Sequence, residues 1–360
     1  MKILFLADPG SSHTIKWARA LDHQKIELFI VGLSAYKKDD YKDTNIQVVS
    51  LFLDKENFGP TSRDVSKAKY LKLVPQVKQI ILKFKPDILH AHYASSYGLL
   101  GALTKFHPLI ISVWGSDIYK FGEKSIIHKN LLKYNFKKAD MVLSTSKDMA
   151  ERTKKFTKKP ILITPFGVDP NKFYPLAKND DEIVVGTVKS LESIYGIDLL
   201  IKAFSMLNGD KLALEIVGDG SQIEVYKTLA EDLKISDKVR FIGRIDQADV
   251  PEALNRMDIF VAASRSESFG VSVIEASSCG LPVVSSNVGG LPEVIVNEKT
   301  GFIVPSGDIE SLKDKVQHLV NSSSLRAKMG IAGRKFVLEH YVWDDCVDKM
   351  ISIYKNINHE

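Results

Sequence analysis

The sequence predicts an α/β protein made of two doubly wound parallel sheets. Short β-like apolar runs alternate with helical patterns along the 360 residues, and such alternation argues for parallel strands covered by helices on both faces. The length suggests two domains with room for a core in each. A segment rich in prolines, asparagines and acids, FGVDPNKFYPLAKNDD, places a boundary near 166–180.

In the first half the strand-like runs fall at 3–7, 27–31, 47–50, 88–91, 109–113, 141–144 and 161–164, with helical patterns at 67–83 and 125–138 among them. In the second half they fall at 183–188, 213–217, 239–242, 259–262, 282–285 and 301–304. Helices are expected there at 197–206, 222–233, 271–278 and 309–320. Ligands of such sheets bind beyond the carboxyl ends of the strands, at the switch point. Two sheets facing each other would form one cleft.

Composition fits an ordinary globular chain, 44% hydrophobic and 26% charged, without low-complexity tracts or short repeats. No apolar run approaches the roughly 18 residues of a membrane span. The first strand is too short for a signal-peptide core, so a cytoplasmic protein is expected. The two cysteines, Cys279 and Cys346, lack metal-ligand spacing and read as buried thiols, with a disulfide as the alternative. Charge is distributed unevenly. Residues 1–165 carry 28 Lys and Arg against 15 Asp and Glu, a net of +13, and residues 166–360 carry 21 against 29, a net of −8. The first half is thus suited to an anionic partner, such as the face of an anionic membrane or a lipid diphosphate, or else has a solvated lysine-rich surface. Nucleic acid is not expected, because the lysines lack interleaved aromatics and no nucleic-acid-binding motif occurs.

The run ESFGVSVIEASSCGLPVVSSNVGGLPE, 267–293, carries the chemistry. Glu267 falls on a loop, Gly270 opens a helix, and Glu275 lies about one and a half turns inside it at ~3.6 residues per turn. A helix start offers unpaired N–H groups and partial positive charge. A glycine lets an oxygen approach the backbone closely, so Phe269, Gly270 and Val271 form a candidate anion cradle. Carboxylates accept paired sugar hydroxyls, and two at different depths suit two rings of one ligand. The plainer reading is a pair of helix-start charges.

This run resembles the donor-site motif of glycosyltransferase family 4, a group with the GT-B fold. ESFGVSVIE matches its Glu-x7-Glu pair residue for residue. The likeness extends to the first strand, to PDILHAHY (86–93), VWGSDI (113–118), TPFGVD (164–169), VGDG (217–220) and RFIGRI (240–245), and to FVLEHYVWDD (336–345) as a closing helix. The resemblance implies a retaining, nucleotide-sugar-dependent glycosyltransferase. It would act on a glycan or lipid-linked acceptor in cell-surface polysaccharide biosynthesis, at the inner membrane face. It implies an acceptor-binding domain at 1–168, a donor-binding domain at 169–340, and a C-terminal helix at 341–360 packing back towards the first domain. A nucleotide-sugar epimerase of the same architecture and a non-catalytic sugar-nucleotide-binding protein are the alternatives.

The resemblance also implies residue roles. Glu267 would orient the donor sugar, Glu275 would take the ribose diol, and Lys189 would neutralise the leaving diphosphate. Gly10 and Gly218 would let the donor approach the backbone. Arg244 and Ile245 lie where relatives hold the base. His13, Trp114 and Asp117 are acceptor-side candidates, with turn capping as the other reading of Asp117. His92, at a strand end, reads as structural. Relatives place an Arg near Lys189 and a Lys before Gly196, where this chain has Ile194-Tyr195, and a His where Trp114 stands. No Asp-x-Asp pair occurs, so no metal and no cofactor beyond the donor co-substrate is expected.

Overall fold

The computed structural model describes residues 1–51, 68–177 and 182–357. Residue 67 of the expected helix at 67–83, and residues beyond 177 of the expected linker, lie outside the described ones. The chain divides into two compact units, Met1–Thr164 with Val347–Glu360, and Pro165–Cys346.

The first unit begins β1 (Lys2–Leu6), α1 (Ser12–His23), β2 (Glu27–Gly32) and β3 (Gln47–Ser50). It continues α2 (Ala68–Phe84), β4 (Ile88–His92), α3 (Tyr97–Thr104), β5 (Leu109–Val113), α4 (Ser116–Tyr119), α5 (Ile126–Lys138), β6 (Met141–Ser144), α6 (Lys147–Thr153) and β7 (Ile161–Ile163). Its strands pair in parallel in the order β3-β2-β1-β4-β5-β6-β7. The chain winds outward on one side of β1, then returns to β4 and winds outward on the other. Leu73 and Val77 of α2, Tyr97 and Leu100 of α3, and Leu132 and Phe136 of α5 share one core with Leu89 and Ile111 of the sheet. These helices therefore cover one face together. Ser125 caps α5 by accepting from the His128 N–H, which stops the helix one residue short of the expected start.

The second unit repeats the plan with β8 (Ile183–Val188), α7 (Ile197–Ser205), β9 (Leu212–Val217), α8 (Ile223–Asp232), β10 (Val239–Gly243) and α9 (Val250–Asn255). Then come β11 (Ile259–Ala262), α10 (Val271–Ser278), β12 (Val283–Ser286), β13 (Gly301–Val304), α11 (Ile309–Val320) and α12 (Ser323–His340), and the chain ends in α13 (Trp343–Ile357), which starts in the second unit and belongs to the first from Val347 on. The strand order is β10-β9-β8-β11-β12-β13, all parallel. The expected two doubly wound parallel sheets are both present. Among the described residues no helix is long and apolar enough to cross a membrane. Both cysteines are free, buried thiols.

The segment 336–345 is not one closing helix. It contains the end of α12, a break at Tyr341 and Val342, and the start of α13. The break has a partner: the Val168 N–H donates to the Tyr341 carbonyl at 2.8 Å and the Trp343 N–H donates to the Val168 carbonyl at 2.9 Å. A Cβ on Gly167 would lie 2.7 Å from the Trp343 Cα, so a glycine permits this contact. Beyond the break, the last residues of α13 belong to the first unit. There Tyr354 is fully buried, and its hydroxyl lies 2.7 Å from His90 Nδ1, while His90 Nε2 lies 2.7 Å from the Ser112 hydroxyl.

His90 and its neighbour His92 are both buried, with ring centroids 4.4 Å apart. Burial, aided for His90 by the charge His92 would carry, lowers the His90 pKa well below 6.5, and burial alone lowers that of His92 to about 3. Above pH 6.5 both rings are neutral in folded and unfolded chains alike. Below it the unfolded chain binds protons that the folded one refuses, so stability falls as pH drops from 6.5 towards 3. Each ring is expected to cost ~1.4 kcal/mol per pH unit in that window. Denaturant midpoints at pH 7 and pH 5 read this out. The pH 5 midpoint should be clearly lower, with a shallower drop in His92→Leu; equal midpoints in the wild type contradict the assignment.

Candidate functional site

In the second sheet the winding reverses between β8 and β11. This is where a doubly wound fold binds ligands, beyond the carboxyl strand ends. Lys189 directly follows β8, and Glu267 lies on the loop between β11 and α10. Residues 78 positions apart thus meet: Lys189 Nζ lies 2.5 Å from Glu267 Oε2, with the two side chains only 12% and 11% exposed. The ammonium also sits 5.0 Å from the centroid of the Tyr195 ring. Burial pulls the Lys189 pKa down, but the charge of Glu267 and its hydrogen bond, with smaller help from Tyr195 and Glu275, outweigh it and raise the pKa. Lys189 is therefore a cation at any physiological pH. Two charges of opposite sign stand ready at a switch point with little water around them.

Glycines set this geometry. Gly218 has φ +138°, and a Cβ there would lie 1.9 Å from the Lys189 carbonyl oxygen. The end of β9 can approach the Lys189 backbone only because that side chain is missing. The Gly218 N–H donates to the Gly243 carbonyl at 2.8 Å, and the Lys189 N–H to that of Val217 at 3.0 Å. Gly218 thus positions Lys189, as well as shaping the loop. Gly218→Ala combines backbone strain with a clash and is expected to cost about 2–3 kcal/mol. A thermal melt should fall by at least ~4 °C; an unchanged melt would show that the loop relaxes freely. Gly290 acts similarly on the Glu267 loop. Its N–H donates to the Glu267 carbonyl at 3.2 Å, and a Cβ on it would meet the Ser268 carbonyl oxygen at 2.6 Å.

Gly270, at φ +107°, is the residue before the first turn of α10. The first N–H groups of a helix have no intrahelical acceptor, so Gly270, Val271 and Ser272 present a positive backbone end beside Glu267. The Phe269 ring is buried and packs edge-on against Phe166 and Tyr341, so it is part of the core behind the loop. Only its backbone is left for a ligand. Glu275 is buried inside α10, one oxygen accepting from Gln247 Nε2 at 3.3 Å. Its charge helps hold the neighbouring Cys279 thiol up at about 12, after burial. Arg244 is exposed and Ile245 half-buried, just past β10, and Arg244 makes no ion pair with a described residue.

In the first unit the winding reverses between β1 and β4. Trp114, half-buried after β5, has the His92 ring 4.5 Å away and the His13 ring 5.9 Å away, centroid to centroid. His13 and Trp114 are thus brought together, and His92 is buried behind them. Asp117 is corrected from an acceptor-hydroxyl ligand to a turn cap. It is 1% exposed, and its carboxylate accepts the N–H groups of Ala94 at 2.8 Å, Gly115 at 2.9 Å and Trp114 at 3.3 Å. Burial raises its pKa while these N–H groups oppose the rise. Its physical task is to fold the loop that carries Trp114. Gly10 is exposed, but its N–H donates to Asp8 Oδ1 at 3.0 Å, an oxygen that also accepts from the Ser34 hydroxyl. A carboxylate therefore stands where a diphosphate would have needed donors, so Gly10 is poorly placed for that role.

The site also contains residues not singled out from the sequence. Arg265, on the loop after β11, holds Asp198 of α7 with two nitrogens at 2.8 and 2.7 Å and donates to the Ser193 carbonyl at 2.8 Å. Burial pushes the Asp198 pKa up, but the Arg265 hydrogen bond and charge override it and lower it. This fork ties the turn bearing Tyr195 to the strand end that leads to Glu267. A Cβ on Gly196, at φ +65°, would lie 2.0 Å from the Ala263 carbonyl oxygen, so the same two loops touch through backbone. Glu192 likewise accepts from the Ser221 N–H at 3.0 Å and hydroxyl at 2.7 Å. Among the described residues no group of three or more His, Cys, Asp or Glu is placed to hold a metal ion.

Two protein-family models match the chain. One, described as glycosyl transferases group 1, matches residues 168–336, and the other, described as glycosyl transferase 4-like, matches residues 2–146. The N-acetyl-alpha-D-glucosaminyl L-malate synthase of Bacillus anthracis is 26% identical over 304 residues, covering 80% of this chain and 79% of that protein. Among solved structures, sucrose-phosphate synthase from Thermosynechococcus elongatus superposes with a TM-score of 0.86 at 20% identity, covering 99% of each chain. HepE from Anabaena, solved in complex with UDP-glucose, superposes with a TM-score of 0.83 at 20% identity, covering 99% of this chain and 100% of that one.

Proposed function

The chain belongs to the group 1, family 4-like glycosyltransferases of GT-B fold, and from this we propose that it transfers a sugar from a nucleotide-sugar donor to a glycan or lipid-linked acceptor, with retention at the anomeric carbon. The observation that carries the reading is the buried Lys189–Glu267 pair at the switch point of the second sheet. Residues 169–340 serve as the donor domain and residues 1–168 as the acceptor domain. HepE, a structural neighbour, was crystallised with UDP-glucose, which supports a nucleotide-sugar donor.

In this reading the donor diphosphate lies against Lys189 and the N–H groups at the start of α10. Both are fixed before the ligand arrives, so they stabilise developing negative charge without reorganising. Glu267 accepts hydroxyls of the donor sugar and keeps the Lys189 ammonium aimed. Glu275, deeper in α10, accepts the ribose diol, which takes over the place of Gln247. The bond from the anomeric carbon to the diphosphate oxygen breaks, and the bond from that carbon to the acceptor oxygen forms on the same face. The acceptor proton passes to the departing diphosphate. Arg244 and Ile245 border the base, Gly218 holds the backbone under the diphosphate, and Trp114 offers His13 and the acceptor an aromatic face on which a sugar ring can lie.

A thermal-shift panel of UDP-, GDP- and ADP-sugars, followed by product analysis with the stabilising donor, tests the proposal. Stabilisation by one nucleotide class and transfer of its sugar to an added acceptor are expected. A free epimerised sugar nucleotide, or no shift with any donor, would overturn it.

A further inference from the structure

A lysine is a flexible stem with a compact charge at its tip, and it serves a fixed point in a site only if something holds that tip. Two groups flank the Lys189 ammonium. Glu267 accepts a hydrogen bond from it, and the ring face of Tyr195 lies under it, 5.0 Å from nitrogen to ring centroid. In the proposed complex Glu267 is shared with hydroxyls of the donor sugar, whereas the aromatic face stays with the lysine. Among the described residues the Tyr195 ring packs on no other ring, and its hydroxyl makes no hydrogen bond. Burial raises the Tyr195 pKa. The charge of Lys189 opposes the rise, and those of Glu267 and Glu192 add to it. The phenol therefore keeps its proton, and the contact is an ammonium over a neutral ring instead of an ion pair.

The turn that carries Tyr195 is fastened along its length. The Tyr195 N–H donates to the Glu192 carbonyl at 3.0 Å. Arg265 holds the two carbonyls before the ring, that of Ile194 through its backbone N–H at 2.8 Å and that of Ser193 through its guanidinium at 2.8 Å. Directly after the ring, Gly196 lies in the left-handed region at φ +65°, with its backbone against Ala263. These contacts leave a half-buried ring no freedom to drift from the ammonium. We propose that Tyr195 is a positioning residue for Lys189, its ring face holding the ammonium in place and keeping water from it, so that the charge stays aimed at the leaving diphosphate while Glu267 is occupied by the sugar. The role in turnover rests on the donor-site reading above, and the contact itself does not.

Full-length protein isotope-labelled at the lysine ε-carbons is observed by NMR without ligand, and the Lys189 signal is assigned by its loss in Lys189→Met. The ring current should displace the Lys189 ε-protons upfield in the wild type and in Tyr195→Phe, and the displacement should vanish in Tyr195→Leu. Kinetics then use the UDP-, GDP- or ADP-sugar that the wild type transfers. Tyr195→Leu should lower kcat ~5- to 30-fold, with a smaller effect on donor affinity, and Tyr195→Phe, which keeps the ring, should stay within ~2-fold of the wild type. In a Lys189→Met background Tyr195→Leu should cost no further turnover, because the group it positions is gone. An undisplaced signal in the wild type, a Tyr195→Phe protein as impaired as Tyr195→Leu, or an equal loss with and without Lys189 would each overturn the proposal. The lysine signal is read without donor, so it decides the contact by itself, and a wild type that transfers no sugar counts against the proposed function instead.

Discussion

Lys189→Ala is expected to lower turnover by about 100- to 1,000-fold, the usual effect of removing one preorganised donor from a site of developing negative charge. The ammonium is mostly shielded, and Glu267 keeps it charged and aimed. As the donor's bond to its diphosphate breaks, negative charge grows on oxygens near Lys189, and a fixed cation in low dielectric is worth most at that moment. The loss should therefore fall on kcat more than on donor affinity. A complication follows from the same geometry. Removing the lysine strands a buried carboxylate, which costs about 3–5 kcal/mol of stability. Pairing Lys189→Met with Glu267→Gln removes both charges, so its thermal melt should recover while turnover stays low. Steady-state kinetics and melts on the three proteins separate the two effects. Wild-type turnover in Lys189→Ala, or a loss confined to donor affinity, contradicts a role in stabilising the leaving group.

Glu275→Ala is the second large effect. Glu275 is buried in α10, and Gln247 Nε2 donates to one of its carboxylate oxygens at 3.3 Å. In the proposed complex the ribose diol donates to this carboxylate, which as an ionised group accepts hydrogen bonds only. Hydrogen bonds to a charged group contribute about 1.5–3 kcal/mol, so donor affinity should fall ~10- to 100-fold. Calorimetry with the nucleoside diphosphate alone sharpens the test, because it carries the ribose and lacks the transferred sugar. Its affinity should fall as much as that of the intact donor. Equal affinity for wild type and variant would remove Glu275 from the ribose.

The elements that position this site were legible because central strands of doubly wound sheets are buried on both faces. Ile183–Val188 and Ile259–Ala262, side by side in the middle of the second sheet, appear as short apolar runs with nothing to confuse them. Val271–Ser278 was bounded by glycines on both sides, which cap helices in any context. The Glu267 and Glu275 positions followed from that helix. What escaped the sequence was long-range pairing. Arg265 and Asp198 read as ordinary surface charges, and only the meeting of the loop after β11 with the start of α7 makes them a fork. Asp117 sits at the same sequence position whether it faces an acceptor or three backbone N–H groups, and the turn of its own loop decides. The break at Tyr341 arises because Val168 pairs with Val342, far away in sequence. Helix α12 was hidden by Gly330, which is required because a Cβ there would lie 1.9 Å from the Gly280 carbonyl oxygen.

A crystal structure of the protein with an intact or non-transferable analogue of the nucleotide sugar that stabilises it most reads the central claim directly. The account predicts diphosphate oxygens within about 3 Å of Lys189 Nζ and of the first N–H groups of α10, with the ribose on Glu275. A nucleotide bound elsewhere, with the Lys189–Glu267 pair untouched by ligand, would contradict it.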